Sequence, residues 1–192
     1  MTKKTHYIQK LLGDLGEKAV EKLLVCGKNL NAVKNNFPMF DVLNKGKEFY
    51  SVKTRSKYST RGLNSQYNFM RRGVSVQKFE CFNKQAKNYL NFIPRMEDLF
   101  WCTIPYEKDK WCPVYYGKIT ELPDTHKLND GLPVFIGVKM TEQHTKNYDI
   151  LGYTKIDLEN MSVDCQPISA PLEKDTLGGG LYDQRVLVGI GA

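Results

Sequence analysis

Phe37-Pro-Met-Phe-Asp41-Val-Leu-Asn-Lys-Gly46-Lys-Glu48-Phe-Tyr-Ser-Val-Lys53-Thr-Arg55 is the stretch on which the reading of this 192-residue chain turns. Met39 to Leu43 follows a proline and reads as a strand, and Asn44-Lys-Gly46 reads as a turn. Glu48 to Thr54 then makes the next strand, so the pair is expected to form a hairpin. Side chains two apart on a strand share a face. Ser51 and Lys53 therefore lie together, and an Asp at the start of one strand can meet the end of the next. Glu48, at an odd offset from Ser51, points to the opposite face.

Upstream, residues 7–25 carry Ile8, Leu11, Leu12, Leu15, Ala19, Leu23 and Leu24 at three-to-four spacing and predict an amphipathic helix stopped by Gly27. Leu30 to Val33 reads as a short strand. Downstream, residues 56–75 are rich in Ser, Asn, Arg and Gly and read as a long loop, a length usually kept for function. A second helix is marked by Phe79, Phe82, Ala86, Tyr89, Leu90 and Ile93 on one face, with Pro94 ending it. Leu99 to Ile104 is the following strand. Apolar stretches at 114–119, 134–138 and 150–156 are expected to be strands or edges of the same sheet, whereas 157–192 gives no clear pattern.

The chain carries a net charge of +7, and its distribution matters more than its total. Between Lys53 and Arg95 ten basic residues face a single acid, Glu80, giving that segment +9 and leaving −2 for the rest. So concentrated a charge suits a surface that neutralises phosphates. The same segment holds Asn64, Gln66, Tyr58, Tyr67, Asn68 and Phe69, residue types that contact sugars and bases. Five scattered cysteines without a CxxC pair argue against a zinc or iron–sulfur site and point to free thiols in a reducing, cytoplasmic compartment. The basic N-terminus is followed by polar residues, so no secretory signal is expected. No apolar run approaches the roughly 18–20 residues needed to span a bilayer, so no membrane association is expected.

Phosphodiester hydrolysis calls for a divalent cation held by oxygen ligands, together with a positive group near the attacked phosphorus. Asp41 and Lys53 on adjoining strands suit those roles. They resemble the PD-(D/E)XK nuclease superfamily, with Asp41 as the first half of the motif and Ser51-Val52-Lys53 as the second. Gly16-Glu17 on the first helix is similar to the Gly-Glu pair of archaeal Holliday-junction resolvases, and Gln85-Ala-Lys-Asn-Tyr89 resembles the QxxxY motif of RecB-like nucleases. Tyr89 also fits the apolar stripe, which favours a core role for it. The resemblance covers about residues 10–105.

It implies an α/β fold with a restriction-endonuclease-like core (helix, three strands, helix, strand; mixed sheet) over about residues 7–105. A strand-rich extension follows over 106–192, within a single domain spanning 1–192. It further implies Mg²⁺ or Mn²⁺ bound by Glu17, Asp41 and the Val52 carbonyl. The catalytic set would be Glu17, Asp41, Ser51 and Lys53, and the nucleic acid, DNA above RNA, would be held by Arg55, Lys57, Arg61, Arg71, Arg72, Lys84 and Lys87. Two sites related by a two-fold axis would suit double-strand cutting, so a homodimer is plausible.

Ser51 departs from the family, which has an acid there, and a hydroxyl supplies no charge to a cation. Three readings follow: Glu17 compensates, Glu48 is a displaced ligand, or the chain binds nucleic acid without cutting it. His6, His126 and His144 are too far apart for a histidine-based metal motif, and no GxxxxGK[ST] loop is present.

Overall fold

The computed structural model describes residues 3–56, 65–67, 74–121, 126–127, 133–138 and 142–168. Along the chain run α1 (Lys3–Leu23), β1 (Lys28–Asn29), α2 (Leu30–Val33), β2 (Val42–Asn44), β3 (Glu48–Ser56), β4 (Ser65–Tyr67) and α3 (Val74–Leu90). Then follow β5 (Leu99–Tyr106), β6 (Cys112–Lys118), β7 (His126–Lys127), β8 (Pro133–Val138), α4 (Glu142–Thr145), β9 (Asp149–Asp157) and β10 (Ser162–Pro167). Seven strands form one mixed sheet in the order β1-β2-β3-β5-β6-β9-β10. β3 and β5 are parallel, with Ser51 beside Trp101 and Lys53 beside Thr103, while the other neighbours are antiparallel. A parallel pair needs a long crossover, and α3 lies within it.

The hairpin forms as expected, with Val42 opposite Tyr50 and Leu43 opposite Phe49. Lys45 and Gly46 at the turn both take positive φ, which glycine adopts without steric cost. β2 is shorter than the sequence suggested, because Met39 also has positive φ and breaks the extended run. Leu30–Val33 is not a strand but one helical turn. The Asn29 side chain accepts the Asn31 N–H at 2.8 Å and so caps it, as a short polar side chain at that position should.

Alternation on β3 sorts the core into two layers. Leu12, Leu15, Ala19, Val20, Leu23 and Leu24 of α1 pack on Val42, Tyr50, Val52, Cys102, Ile104, Val114, Ile156 and Val163. On the other face Phe82 and Ala86 of α3 pack on Phe40, Leu43, Phe49, Leu99 and Trp101. Phe82 lies 4.7 Å from Phe40 and meets Phe49 edge-on at 5.2 Å between ring centroids. Burying each of these rings contributes about 1.5–3 kcal/mol.

Further expectations need correcting. Tyr89 is 50% and Ile93 57% exposed, so the apolar face of the second helix ends at Leu90. Ile8 likewise emerges into solvent at the start of α1. Residues 133–138 do not join the main sheet but form a second one in the order β4-β8-β7. The 56–75 segment contains β4, and Ser162–Pro167 adds a strand where no pattern was legible. No disulfide links the five cysteines. No helix among the described residues is long and apolar enough to cross a membrane.

Candidate active site

Asp41 stands where β2 has not yet begun. Its backbone N–H donates to Tyr50 O at 2.9 Å, and its carbonyl accepts the Leu30 N–H at 2.8 Å, tying α2 to the hairpin. Its carboxylate Oδ2 accepts the Val52 N–H at 2.7 Å. That donor would pair with a carbonyl of a longer β2, and Asp41 supplies the missing acceptor from its side chain. The position is a protected one. Burial pushes the Asp41 carboxyl above the usual carboxylate range, while the Lys53 charge and the Val52 N–H pull it back.

Glu17 reaches the same place from α1. Burial, reinforced by the charge of Asp41, pushes its carboxyl up to about 7, and a hydrogen bond from Asn31 works against this. That bond, Asn31 Nδ2 to Glu17 Oε2, measures 3.3 Å. Asp41 thus lies within electrostatic reach of both Glu17 from α1 and Lys53 from β3. The field of Asp41 extends to β5, where it adds to burial in raising the Cys102 thiol. A thiol so held stays protonated and inert.

Gly16 explains how α1 comes close enough. A Cβ there would overlap Thr54 Oγ1 and stand 3.1 Å from Thr54 Cβ. Bare backbone at Gly16 lets the helix lie directly on β3 and carries Glu17 toward Asp41. The Thr54 hydroxyl is buried without a hydrogen-bond partner, as expected if it serves as packing surface. Gly16→Ala should therefore destabilise the fold, because overpacking costs about 1–3 kcal/mol against about 1 kcal/mol of helix preference gained. Adding Thr54→Ala should restore much of the loss. Urea denaturation of the two variants checks this, and an unchanged midpoint in Gly16→Ala would remove the close-approach argument.

The remaining candidates divide. Ser51 is buried at 3% exposure on β3, on the face it shares with Lys53. Glu48 lies on the opposite side and accepts from Asn44 Nδ2 at 2.6 Å and Tyr50 OH at 3.5 Å, a role internal to the hairpin. Arg55 follows Lys53 on the same strand face and is half-buried. Lys84 and Lys87 are exposed on α3. Lys57, Arg61, Arg71 and Arg72 lie outside the described residues. Among the described residues no three His, Cys, Asp or Glu side chains gather as a metal cage. The available acidic pair is Glu17 and Asp41.

Sequence reasoning missed Asn31, which binds Glu17, and Lys34, which reaches from the end of α2 to α3. Its Nζ donates to Gln85 Oε1 at 2.8 Å and lies 5.2 Å from the Tyr89 ring centroid. The Asn29-Leu-Asn31 capping pattern offered a signal for the first, since it predicts a helical turn that brings Asn31 round; nothing local marked the second. No protein-family model, curated protein or solved structure matches this chain.

Proposed function

We propose that this chain is a divalent-metal-dependent nuclease that hydrolyses phosphodiester bonds, with DNA as the favoured substrate. The observation that carries the reading is the placement of Asp41, just ahead of β2, within electrostatic reach of both Glu17 on α1 and Lys53 on β3. Two carboxylates held at raised pKa, Asp41 by burial and Glu17 by burial and the charge of Asp41, form a site that a cation would relieve. Their hard oxygens suit Mg²⁺ or Mn²⁺. The carbonyl of Val52 would join them, since on an extended strand a residue's C=O leaves on the same side as its N–H, and that N–H meets Asp41. The order helix, strands, helix, strand, with β3 parallel to β5, supports a restriction-endonuclease-like core.

When bound, the metal polarises the scissile phosphate and lowers the pKa of the attacking water. The chain's own groups supply the rest. Lys53 orients that water and offsets charge developing on the phosphorus. The Val52 N–H holds Asp41 in place, and Asn31 orients Glu17. Ser51 contributes a neutral oxygen beside Lys53. Arg55, Lys57, Arg61, Arg71, Arg72, Lys84 and Lys87 hold the strand by its phosphates.

One observation favours a second reading. With Ser51 in place of an acid and, among the described residues, no cluster of three acidic, histidine or cysteine side chains, the chain would bind nucleic acid without cutting it. Incubating supercoiled plasmid with the protein in Mg²⁺, Mn²⁺ or chelator separates the two. Metal-dependent nicking or linearisation supports the nuclease, and binding without cleavage supports the inert subunit.

The basic segment makes its own prediction. Affinity dominated by phosphate contacts falls linearly on a log–log salt plot, with about one unit of slope per contact. Replacing Arg61, Arg71 and Arg72 together by Ala should flatten the slope by up to about 3. It should weaken all sequences alike and leave folding intact. An unchanged slope would mean that these charges are merely solvated.

A further inference from the structure

The α2 turn joins the acidic pair to a cation that the nuclease reading does not use. At its start, the Leu30 N–H bonds the Asp41 carbonyl and the Asn31 amide bonds Glu17. At its end stands Lys34, whose N–H closes the turn on Leu30 O at 3.0 Å. Asn31 and Lys34 are three residues apart, about one turn and about 5 Å along a helix axis. One short element is therefore tied to the Glu17 carboxylate and to the Asp41 backbone at one end, and carries an ammonium at the other.

That ammonium is anchored rather than trailing in solvent. Gln85 and Tyr89, one turn apart on α3, supply a carbonyl at 2.8 Å and a ring face at 5.2 Å. Both partners are neutral, and among the described residues no carboxylate forms an ion pair with Lys34. A lysine serving only to tie α2 to α3 would be better compensated by an acid. Here the full charge is kept while the side chain's freedom is removed, which favours binding of an anion by lowering the ordering cost. Tyr89 is half exposed, so the place is open to a ligand. An ammonium has three donors; the Gln85 carbonyl and the ring occupy two directions and one is left for a phosphate oxygen.

We propose that Lys34 is a substrate-binding residue that takes a backbone phosphate of the nucleic acid next to the one at Glu17 and Asp41. Gln85 and Tyr89 are the positioning residues that hold it there. This inference rests on the nuclease reading and assigns a register for the strand, running from the carboxylate pair across α2 to α3.

The test is binding by fluorescence anisotropy of labelled duplex and single-stranded oligonucleotides in chelator, across a salt titration, beside plasmid cleavage in Mg²⁺. Lys34→Met and Lys34→Gln, the latter keeping an amide to bond Gln85, should each lower the salt slope by about 1 and the affinity by about 3–10-fold at low salt. Lys34→Arg should retain the slope. Gln85→Leu and Tyr89→Leu keep the charge and should weaken binding about 2–5-fold with the slope unchanged, a pattern that a purely structural role would not give. If wild type binds and cuts while both neutral Lys34 variants, folded by thermal melting, keep wild-type slope and affinity, the inference is overturned and the nuclease reading stands. If wild type neither binds nor cuts, both fall together.

Discussion

Asp41→Asn should lower Mg²⁺-dependent cleavage by about 10²–10³-fold or more while raising the melting temperature of the metal-free protein. The two effects have one cause. Asp41 is buried, and its carboxylate is disfavoured there despite Lys53 and the Val52 N–H. An asparagine oxygen still accepts the 2.7 Å bond from Val52, so the local backbone has no reason to move. The charge that would hold a cation is lost, and with it the cost of burying that charge. Circular dichroism melts in chelator and plasmid cleavage in Mg²⁺ read the two arms separately. Retained cleavage would remove Asp41 from the site, and the whole assignment with it. Lost cleavage with a lowered melting temperature would mean that the carboxylate holds the fold together rather than the metal.

The hairpin and the two helices were legible because their signals are local. Alternation from Phe49 to Thr54, the Asn-Lys-Gly turn and the Leu-rich period of α1 each specify an element within a few residues. Glu17, Asp41 and Lys53 could be singled out because Glu17 and Lys53 sit on such elements and Asp41 stands just ahead of one. What stayed hidden depended on distant chain. Leu30–Val33 has β-like composition, yet the Asn29 cap and the bond from Leu30 to Asp41 make it a turn of helix. Tyr89 fits the apolar period of α3 but is half exposed, with the Lys34 ammonium 5.2 Å from its ring centroid. Residues 134–138 are an apolar stretch that reads as a strand, but composition does not say which sheet a strand joins. Ser162–Pro167 alternates with only Val163 buried and was therefore illegible as a strand. Its pairing with β9, Val163 opposite Ile156, is what makes it one.

Metal affinity should rise about 10²-fold between pH 5 and pH 7 and level off above, and Glu17→Gln should abolish most of that dependence. A cation must displace the proton that Glu17 holds up to about pH 7. Below that value each pH unit costs about tenfold in apparent affinity. Stability of the metal-free protein should move in the opposite direction. The folded carboxyl titrates near 7 and the unfolded one near its ordinary value of 4.5, so between those limits the folded state holds more protons than the unfolded. Stability is then fully present below about pH 4.5 and falls as pH rises through 7. Glu17 still partly faces water, so screening reduces the loss to about 1–2 kcal/mol. Saturating Mn²⁺ should reverse the slope, because the bound cation stabilises the folded state by mass action and does so most where Glu17 is ionised. Calorimetric Mn²⁺ titrations and urea denaturation at matched pH values measure both arms. Glu17→Gln should unfold at a higher urea concentration than wild type at pH 8 in chelator and bind Mn²⁺ poorly at every pH. If wild-type affinity is flat across this range, or if Glu17→Gln binds as tightly as wild type, Glu17 is not a ligand and cannot compensate for Ser51. The reading that the chain binds nucleic acid without cutting it would then be the stronger one.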